Sequence, residues 1–194
     1  MTYDLALLED QAHLQSEAGE VLADLNLAAT LATVGFPHSV GSRALHVMVR
    51  RDIDLTVACE RLDLRELYRL GESVAVHPRV RVLRFRDDTG DWNVHRLYPD
   101  GVYWGIEYVH TGGAPWNLDV WFVDQPERQP DLRDVRDLLP LLDDDARRLI
   151  LSIKRSLKDD PRYGAELCGR DIYVAVLHHA ATCVTDFEAY LAAR

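Results

Sequence analysis

Between residues 73 and 123 the chain alternates short apolar segments with turn-forming residues, and no other part of the sequence constrains the fold as much. The segments are rich in β-branched and aromatic residues, as strands are, and Asp, Gly and Pro separate them. The segments that we predict as strands are Ser73 to Val76, Arg79 to Arg86, Val102 to Val109 and Asn117 to Val123. We expect an antiparallel meander whose last, apolar strand lies inside the sheet.

Apolar residues at helical spacing lie on the N-terminal side of this region. They predict an opening amphipathic helix within residues 5 to 32, a short helix from Arg43 to Arg50, and a helix from Arg61 to Leu70 that Gly71 ends. Between the last two, the β-branched segment Asp52 to Ala58 alternates polar and apolar residues at its start, which predicts a strand. The fold class is therefore α+β.

On the C-terminal side, the polar, proline-bearing segment Gln125 to Pro130 has the composition of a linker. Helical periodicity then covers Leu132 to Leu142, Asp143 to Leu157 and Glu166 to Ala193. We predict two units, a main domain of residues 1–124 and a small helical subdomain of residues 131–194.

Charge and cysteine usage limit the classes of function. The 194 residues include 22 Lys and Arg against 32 Asp and Glu, a net charge of −10 that repels phosphate backbones and makes unspecific binding of nucleic acid unexpected. The three cysteines are odd in number and have no C-x-x-C spacing, which argues against a disulfide framework or a thiolate zinc site. With acids near the start and no run of 18 apolar residues, we expect a cytoplasmic protein that does not enter membranes.

Two motifs at a defined spacing indicate a reaction site. Val40-Gly41-Ser42 is followed, after nine residues, by Asp52-Ile53-Asp54-Leu55. A glycine lets the backbone approach a phosphate closely, and a serine hydroxyl, the neighbouring N–H groups and a helix N-terminus can bind its oxygens. Aspartates at i and i+2 of a strand present hard oxygen ligands on one face, which Mg²⁺ prefers when it also holds phosphates and water. Together they predict a site for a metal and a nucleotide.

A third carboxylate completes this prediction. Two Mg²⁺ ions about 3.5–4 Å apart need ligands from more than one segment. Asp119 lies in the apolar segment Leu118 to Phe122, where an unpaired charge is costly to bury and requires a metal or a partner. We predict that the carboxylates of Asp52, Asp54 and Asp119 converge in a cleft between the sheet and the C-terminal helices.

The order of these motifs resembles the nucleotidyltransferase superfamily related to DNA polymerase beta. Its hallmark is hydrophobic-Gly-Gly/Ser, then Asp-hydrophobic-Asp/Glu-hydrophobic, then a hydrophobic-Asp-hydrophobic segment on a later strand, and every hallmark position is matched here. The resemblance implies a mixed sheet flanked by helices, often followed by a helical domain that closes over the nucleotide. The roles that it implies are metal binding and catalysis for Asp52, Asp54 and Asp119, phosphate contact for Gly41 and Ser42, and a grip on the outer phosphates for Lys154.

The function predicted in this way is Mg²⁺-dependent transfer of a nucleoside monophosphate from an NTP such as ATP to an acceptor hydroxyl or phosphate, with release of pyrophosphate. One ion held by all three aspartates lowers the pKa of the acceptor hydroxyl, and another on Asp52 and Asp54 orients the triphosphate. Asp119 is also a candidate base. The acidic charge favours a small-molecule or protein acceptor and makes nucleic acid unlikely. The alternatives are a nucleotide-binding or protein-interaction member of the same fold without turnover, such as one half of a toxin–antitoxin pair, and a tRNA-directed transferase with a locally basic groove.

Structural roles stay open for the same residues. Gly41-Ser42 also suits an ordinary turn with a helix N-cap. The alternative for Asp52 and Asp54 is a solvated strand face paired with Arg43, Arg50 or Arg51, and for Asp119 a bond to a neighbouring arginine.

Several other polar and aromatic residues have mainly structural interpretations. Alternating arginines from Arg79 to Arg86 favour an edge strand blunted by charge, with a bulge between Val82 and Leu83. The acids between 131 and 145 favour helix starts and solvated faces. Core or loop positions are expected for Trp104, Trp116, Trp121, His110, His178 and His179.

Overall fold

The computed structural model describes residues 2–194, with side chains described from residue 6 onward. A five-stranded sheet is combined with eight α-helices in this part of the chain. The strands are β1 Phe36–Val40, β2 Asp52–Ala58, β3 Val80–Asp88, β4 Gly101–Val109 and β5 Pro115–Val123. The helices are α1 Thr2–Asp24, α2 Leu27–Leu31, α3 Gly41–Ala44, α4 Leu64–Ala75, α5 Pro130–Leu138, α6 Asp144–Leu157, α7 Gly169–His179 and α8 Val184–Ala192.

The strand order is β1-β2-β5-β4-β3. The pairs β1–β2, β4–β5 and β3–β4 are antiparallel, whereas β2 and β5 are parallel. This mixed sheet confirms the predicted α+β class. It also confirms a meander of the last three strands, with β5 inside the sheet and the arginine-rich β3 at its edge.

The sheet has one apolar face and one polar face because its strand residues alternate. Residues 53, 55 and 57 of β2, with the even-numbered residues of β4 and β5, pack against α1, α2 and α4 in the larger core. Residues 52, 54 and 119 lie on the opposite face. Burial of the apolar face therefore fixes the side on which the three aspartates stand.

A second core joins the C-terminal helices. It contains apolar residues of α6, α7 and α8, but also Leu7 of α1 and Leu45 and Val47 from the segment between α3 and β2. These three residues belong to the predicted main domain, so the two cores do not divide cleanly at residues 125–130. The two-unit division stays a prediction. Within residues 2–194, no helix combines the length and apolar character that a membrane span requires.

The helix predicted from Arg43 to Arg50 is wrong. The helix there is α3, which has only four residues and ends before His46, whose φ of 58° is left-handed. Leu45 and Val47 beyond it are buried in the second core. Packing of these two side chains, not helical continuation, therefore sets the path of the chain into β2.

The expected helix end at Gly71 and the strand from Ser73 to Val76 are also wrong. The α4 helix continues through Gly71 to Ala75, and Asp63 caps its start by accepting hydrogen bonds from the N–H groups of Arg65 and Glu66. A Cβ atom at Gly71 would lie 3.4 Å from the Trp104 ring. This glycine brings the helix close to the sheet instead of ending the helix.

Other predicted boundaries shift. The opening helical region breaks at Asn26, which has a φ of 46°, and the last one breaks at Ala180, with a φ of 53°. The α5 helix ends at Leu138, where a 3₁₀ turn follows. The irregularity in β3 lies between Val80 and Val82, slightly earlier than predicted.

Candidate active site

Three carboxylates converge on the polar face of the sheet. Asp54 of β2 is in register with Asp119 of the parallel strand β5, and Asp52 lies two residues earlier on the same face. One oxygen atom from each carboxylate can be chosen so that all three lie within 4.8 Å of one another. This confirms the predicted proximity of the three aspartates.

The negative charge of this triad is not balanced by ion pairs. Among the described side chains, no lysine, arginine or histidine forms a salt bridge with Asp52, Asp54 or Asp119. Arg51 binds Glu17 instead, and Arg43 donates to the hydroxyl of Ser39. The arginine-paired alternative is therefore not observed.

Burial is the main cause of altered ionisation at the triad, and repulsion between the carboxylates adds to it. Together they raise the pKa of Asp52 to about 6 and the pKa of Asp54 to about 8. Clustered hard oxygen atoms with uncompensated charge fit a divalent cation such as Mg²⁺ or Mn²⁺. The donor set is therefore suited to the metal that the sequence predicts.

Tyr103 fixes one side of the triad. Its hydroxyl donates a hydrogen bond to Oδ1 of Asp119, from the neighbouring strand β4. The Arg86 guanidinium lies 4.9 Å from the centre of the Tyr103 ring and 5.2 Å from that of Trp121. A Cβ atom at Gly105 would lie 2.7 Å from the Tyr103 hydroxyl, so only glycine there leaves the ring in place. Strand pairing creates this contact, which no local sequence pattern indicates.

We expect Tyr103→Phe to weaken metal binding and turnover without unfolding the protein. Partners that orient a metal ligand typically contribute 10–100-fold to metal affinity or activity. Titration calorimetry with Mn²⁺ and a pyrophosphate-release assay measure the two effects. Tyr68→Phe is the matched control because the Tyr68 ring stacks on Phe85, away from the triad. Unchanged Mn²⁺ affinity and rate in Tyr103→Phe contradict the orienting role.

Gly41 lies directly against the triad. Its φ of 60° is left-handed, and a Cβ atom at this position would overlap Oδ2 of Asp54 and lie 2.8 Å from Cγ. Val40 is the N-cap residue of α3 and makes no capping hydrogen bond through its side chain. The glycine is therefore required by the carboxylate beside it, which the ordinary turn-and-cap alternative does not explain.

A cavity of about 300 Å³ opens beside the triad, between the sheet and the C-terminal helices. It brings together the turn, two aspartates of the triad, two acids of α5, and five side chains from α6, α7 and the segment that joins these two helices. Its polar and aromatic lining includes Gly41, Ser42, Arg50, Asp52, Asp54, Asp131, Asp134, Lys154, Tyr163, Arg170 and Tyr173. Local sequence patterns do not indicate Tyr163, Arg170 or Tyr173 as site residues, because their positions depend on packing between distant segments.

Lys154 is buried and is not an exposed helix residue, and no local sequence pattern indicates this burial. It is only 3% exposed, and its Nζ atom donates to the carbonyl of Val47 at 2.9 Å and to the Tyr173 hydroxyl at 3.0 Å. Burial lowers its pKa to about 8, and attraction to Asp54 and Asp52 opposes that shift. An ammonium group has three donors, so one remains for a ligand in the cavity.

Two acids predicted to lie on a solvated face in fact line the cavity. Asp131 is partly buried, which raises its pKa, and it accepts a hydrogen bond from Gln129. Asp134 binds Arg170 at 2.7 Å. Asp131 does lie at a helix start, in the first turn of α5, but the solvated-face prediction is wrong for Asp134, which faces Arg170 of α7.

The structure places two of the three tryptophans in the core and His110 outside the cavity. Trp104 and Trp116 are fully buried core residues, as expected, whereas Trp121 lies half-buried on the polar face. His110 binds Glu20 of α1 and is not among the residues that line the cavity.

No protein-family model and no curated protein matches this chain in sequence. Solved structures do match its fold. The structure of Cid1 in complex with its short product ApU aligns with a TM-score of 0.56 and 14% identity over 86% of this chain and 49% of Cid1. A cytoplasmic RNA terminal U-transferase aligns with a TM-score of 0.54 and 17% identity over 90% of this chain and 54% of the transferase.

The chain spans about half the length of these two proteins. Cid1 is bound to its short product ApU and the second protein is an RNA terminal U-transferase, so the similarities do not support the expectation that nucleic acid is an unlikely partner. Sequence identity this low supports a shared fold but does not identify the substrate. The two structures confirm the predicted fold, the mixed sheet flanked by helices that the resemblance to nucleotidyltransferases implies.

Proposed function

We propose that this protein is a nucleotidyltransferase that uses a divalent metal ion. It moves a nucleoside monophosphate from an NTP to an acceptor hydroxyl or phosphate and releases pyrophosphate. The observation that carries the proposal is the convergence of Asp52, Asp54 and Asp119 beside the Gly41-Ser42 turn. The similarity of fold to a terminal U-transferase supports the same type of reaction.

The side chains of the cavity suit the triphosphate. Arg50 and Lys154 contribute positive charge, and neither forms a salt bridge with a carboxylate among the described side chains. The Ser42 hydroxyl and nearby backbone N–H groups are further donors to phosphate oxygens. The Tyr163 ring, with the Arg50 guanidinium 4.6 Å from its centre, offers a flat surface against which a base can stack.

The three carboxylates would hold the metal, with Asp52 and Asp54 on the triphosphate side and Asp119 on the acceptor side. When bound, divalent ions supply neutralisation of the phosphate charge and a lower pKa for the acceptor hydroxyl. Tyr103 occupies Oδ1 of Asp119, which leaves Oδ2 to accept the hydroxyl proton. The acceptor oxygen then bonds to the α-phosphorus, the bond from that phosphorus to the bridging oxygen breaks, and pyrophosphate leaves.

We also propose that residues 131–194 act as the helical subdomain that closes the nucleotide cavity. Lys154, Tyr163 and Arg170 from this region line the cavity opposite the aspartates. The buried hydrogen bond from Lys154 to Val47 links α6 to the segment that leads into β2. The nucleotide is then enclosed by side chains from both proposed units.

A pyrophosphate-release assay with each of the four NTPs and Mg²⁺ tests the function. Acceptors should include RNA as well as small polyols and proteins. One fold neighbour is an RNA terminal U-transferase, and the other, Cid1, is bound to its short product ApU. We expect release that depends on the metal and disappears in the double variant Asp52→Ala, Asp54→Ala. Equal release by the double variant contradicts the proposal. Tight NTP binding without release for any acceptor selects the binding-only alternative.

A further inference from the structure

A second groove adjoins the triad and has no assigned role. It has a volume of about 330 Å³, shares Asp52 with the nucleotide cavity and contains Asp119, which the cavity lacks. We call it the β4–β5 groove. Its lining is Asp52, Arg84, Tyr103, Gly105, Ile106, Glu107, Asn117 and Asp119.

The register of the sheet explains why this groove exists. Arg84, Gly105 and Asp119 are neighbours across β3, β4 and β5, and Glu107 pairs with Asn117 in the next row on the same face. Because Gly105 has no side chain, the Tyr103 ring lies over it, donates its hydroxyl to Asp119 and forms one wall of the groove. The triad therefore has an opening on the β4–β5 side that is separate from the nucleotide cavity.

The charges of the two openings differ. In the nucleotide cavity, Arg50 and Lys154 are without a carboxylate partner among the described side chains, which suits a polyanion. In the groove the single cation is Arg84, and Glu107 already binds it at 2.7 Å. With Asp52, Glu107 and Asp119 against this one arginine, the groove is acidic, so an uncharged group fits it better than a phosphate.

The remaining polar atoms of the groove match paired hydroxyl groups. Arg84 binds Oε1 of Glu107, which leaves Oε2 as an acceptor, and the exposed Asn117 amide offers both donors and an acceptor. Asn117 precedes Asp119 by two residues, roughly 6.8 Å along the strand. Two hydroxyls on adjacent carbons, with a hydrogen bond of about 2.8 Å at each end, can span that distance.

We propose that the β4–β5 groove binds the acceptor through a vicinal diol, with one hydroxyl beside Asp119 and the other held by Glu107 and Asn117. This inference rests on the proposed function and narrows its acceptor from a hydroxyl or phosphate to an uncharged diol. The reacting hydroxyl oxygen bonds to the α-phosphorus, its proton passes to Asp119, and pyrophosphate departs with the electrons of the broken phosphorus–oxygen bond.

Two sources supply such a diol, the 3′-terminal ribose of an RNA and a free sugar or polyol. The test therefore uses four acceptor probes with NTP and Mg²⁺. They are a ribo-hexanucleotide with a free 2′,3′-diol, the same oligomer ending in 2′-deoxyribose, the same oligomer with a 3′-phosphate, and methyl β-ribofuranoside.

We expect transfer to a diol probe at least about 10-fold faster than to the deoxyribose oligomer, because unpaired groove groups penalise an acceptor that lacks the second hydroxyl. Use of the riboside alone identifies a small-molecule source, and use of the oligomer alone identifies RNA. Equal use of the deoxyribose oligomer, preference for the 3′-phosphate, or pyrophosphate release without transfer to either diol probe overturns the inference. Absence of any NTP-dependent release contradicts the proposed function itself.

Variants of the groove give a second readout. Glu107→Gln and Asn117→Ala should raise the KM for the diol acceptor at least about fivefold and leave the KM for NTP and the Tm unchanged. Anisotropy of the labelled diol oligomer, or saturation-transfer NMR of the riboside, should show the same weakening without turnover. Glu127→Gln, an exposed acid outside the groove, is the matched control. Equal acceptor KM and affinity in wild type and both variants contradict the assignment.

Discussion

Asp54→Asn is expected to abolish transfer and, at the same time, to stabilise the metal-free protein. Loss of a carboxylate that holds the metal should lower pyrophosphate release at least about a thousandfold, which corresponds to roughly 4 kcal/mol of lost transition-state stabilisation. The same change removes a carboxyl group that burial and three neighbouring carboxylates make costly to ionise. We expect Tm to rise by at least about 3 °C.

The raised pKa of Asp54 also predicts the direction in which stability changes with pH. The raised pKa of Asp54, about 8, exceeds the value of about 3.9 in an unfolded chain, so between these pH values the native state holds a proton that the unfolded state has released. The free energy of unfolding of the metal-free protein should therefore fall as pH rises from about 4 to about 8. Asp52, with a pKa of about 6, adds to this fall between about 4 and 6.

Thermal melts from pH 4 to pH 9, with and without Mg²⁺, measure these effects. Wild type should lose stability toward high pH and recover it when Mg²⁺ is added, because a ligand that binds only the native state stabilises it. Asp54→Asn should show a flatter profile and little response to Mg²⁺. The control is Asp124→Asn, at an exposed acid outside the triad. A variant less stable than wild type at pH 8 without metal disproves the electrostatic explanation.

Local sequence patterns predict the triad because alternation along a strand decides the face on which each residue lies. Asp52 and Asp54 share a face in any strand, and Asp119 interrupts an apolar segment whose own alternation fixes its direction. What brings them together is the parallel register of β2 and β5, which no local pattern contains. Tyr103 was missed for the same reason, since its contact with Asp119 exists only through strand pairing.

The predictions of the fold were wrong where contacts between distant segments override a local sequence signal. Glycine is typical of a helix end, yet Gly71 lies inside α4, where the lack of a side chain allows close packing against Trp104. Lys154 lies on a helix whose sequence does not indicate which partner covers it, and the carbonyl of Val47 completes its burial. Such residues are fixed by contacts between distant segments, so periodicity and capping signals cannot place them.

Gly41→Ala is expected to displace the Asp54 carboxylate and so to destroy the metal site through a single methyl group. The left-handed φ of 60° alone costs an alanine roughly 1–2 kcal/mol. In addition, the new Cβ would overlap Oδ2 of Asp54, so the carboxylate or the turn must move. We expect Tm to fall by several degrees, Mn²⁺ affinity to fall at least about tenfold, and pyrophosphate release to fall at least about a hundredfold.

Gly90→Ala separates the two causes, because Gly90 has a similar φ of 56° but nothing within 4 Å of an added Cβ. It should show the backbone cost without loss of metal affinity. Combining Gly41→Ala with Asp54→Ala should then destabilise less than the sum of the single changes, since the overlapping oxygen is gone. Strict additivity in this double-mutant cycle, or normal Mn²⁺ binding by Gly41→Ala, means that the glycine serves the turn alone and not the carboxylate beside it.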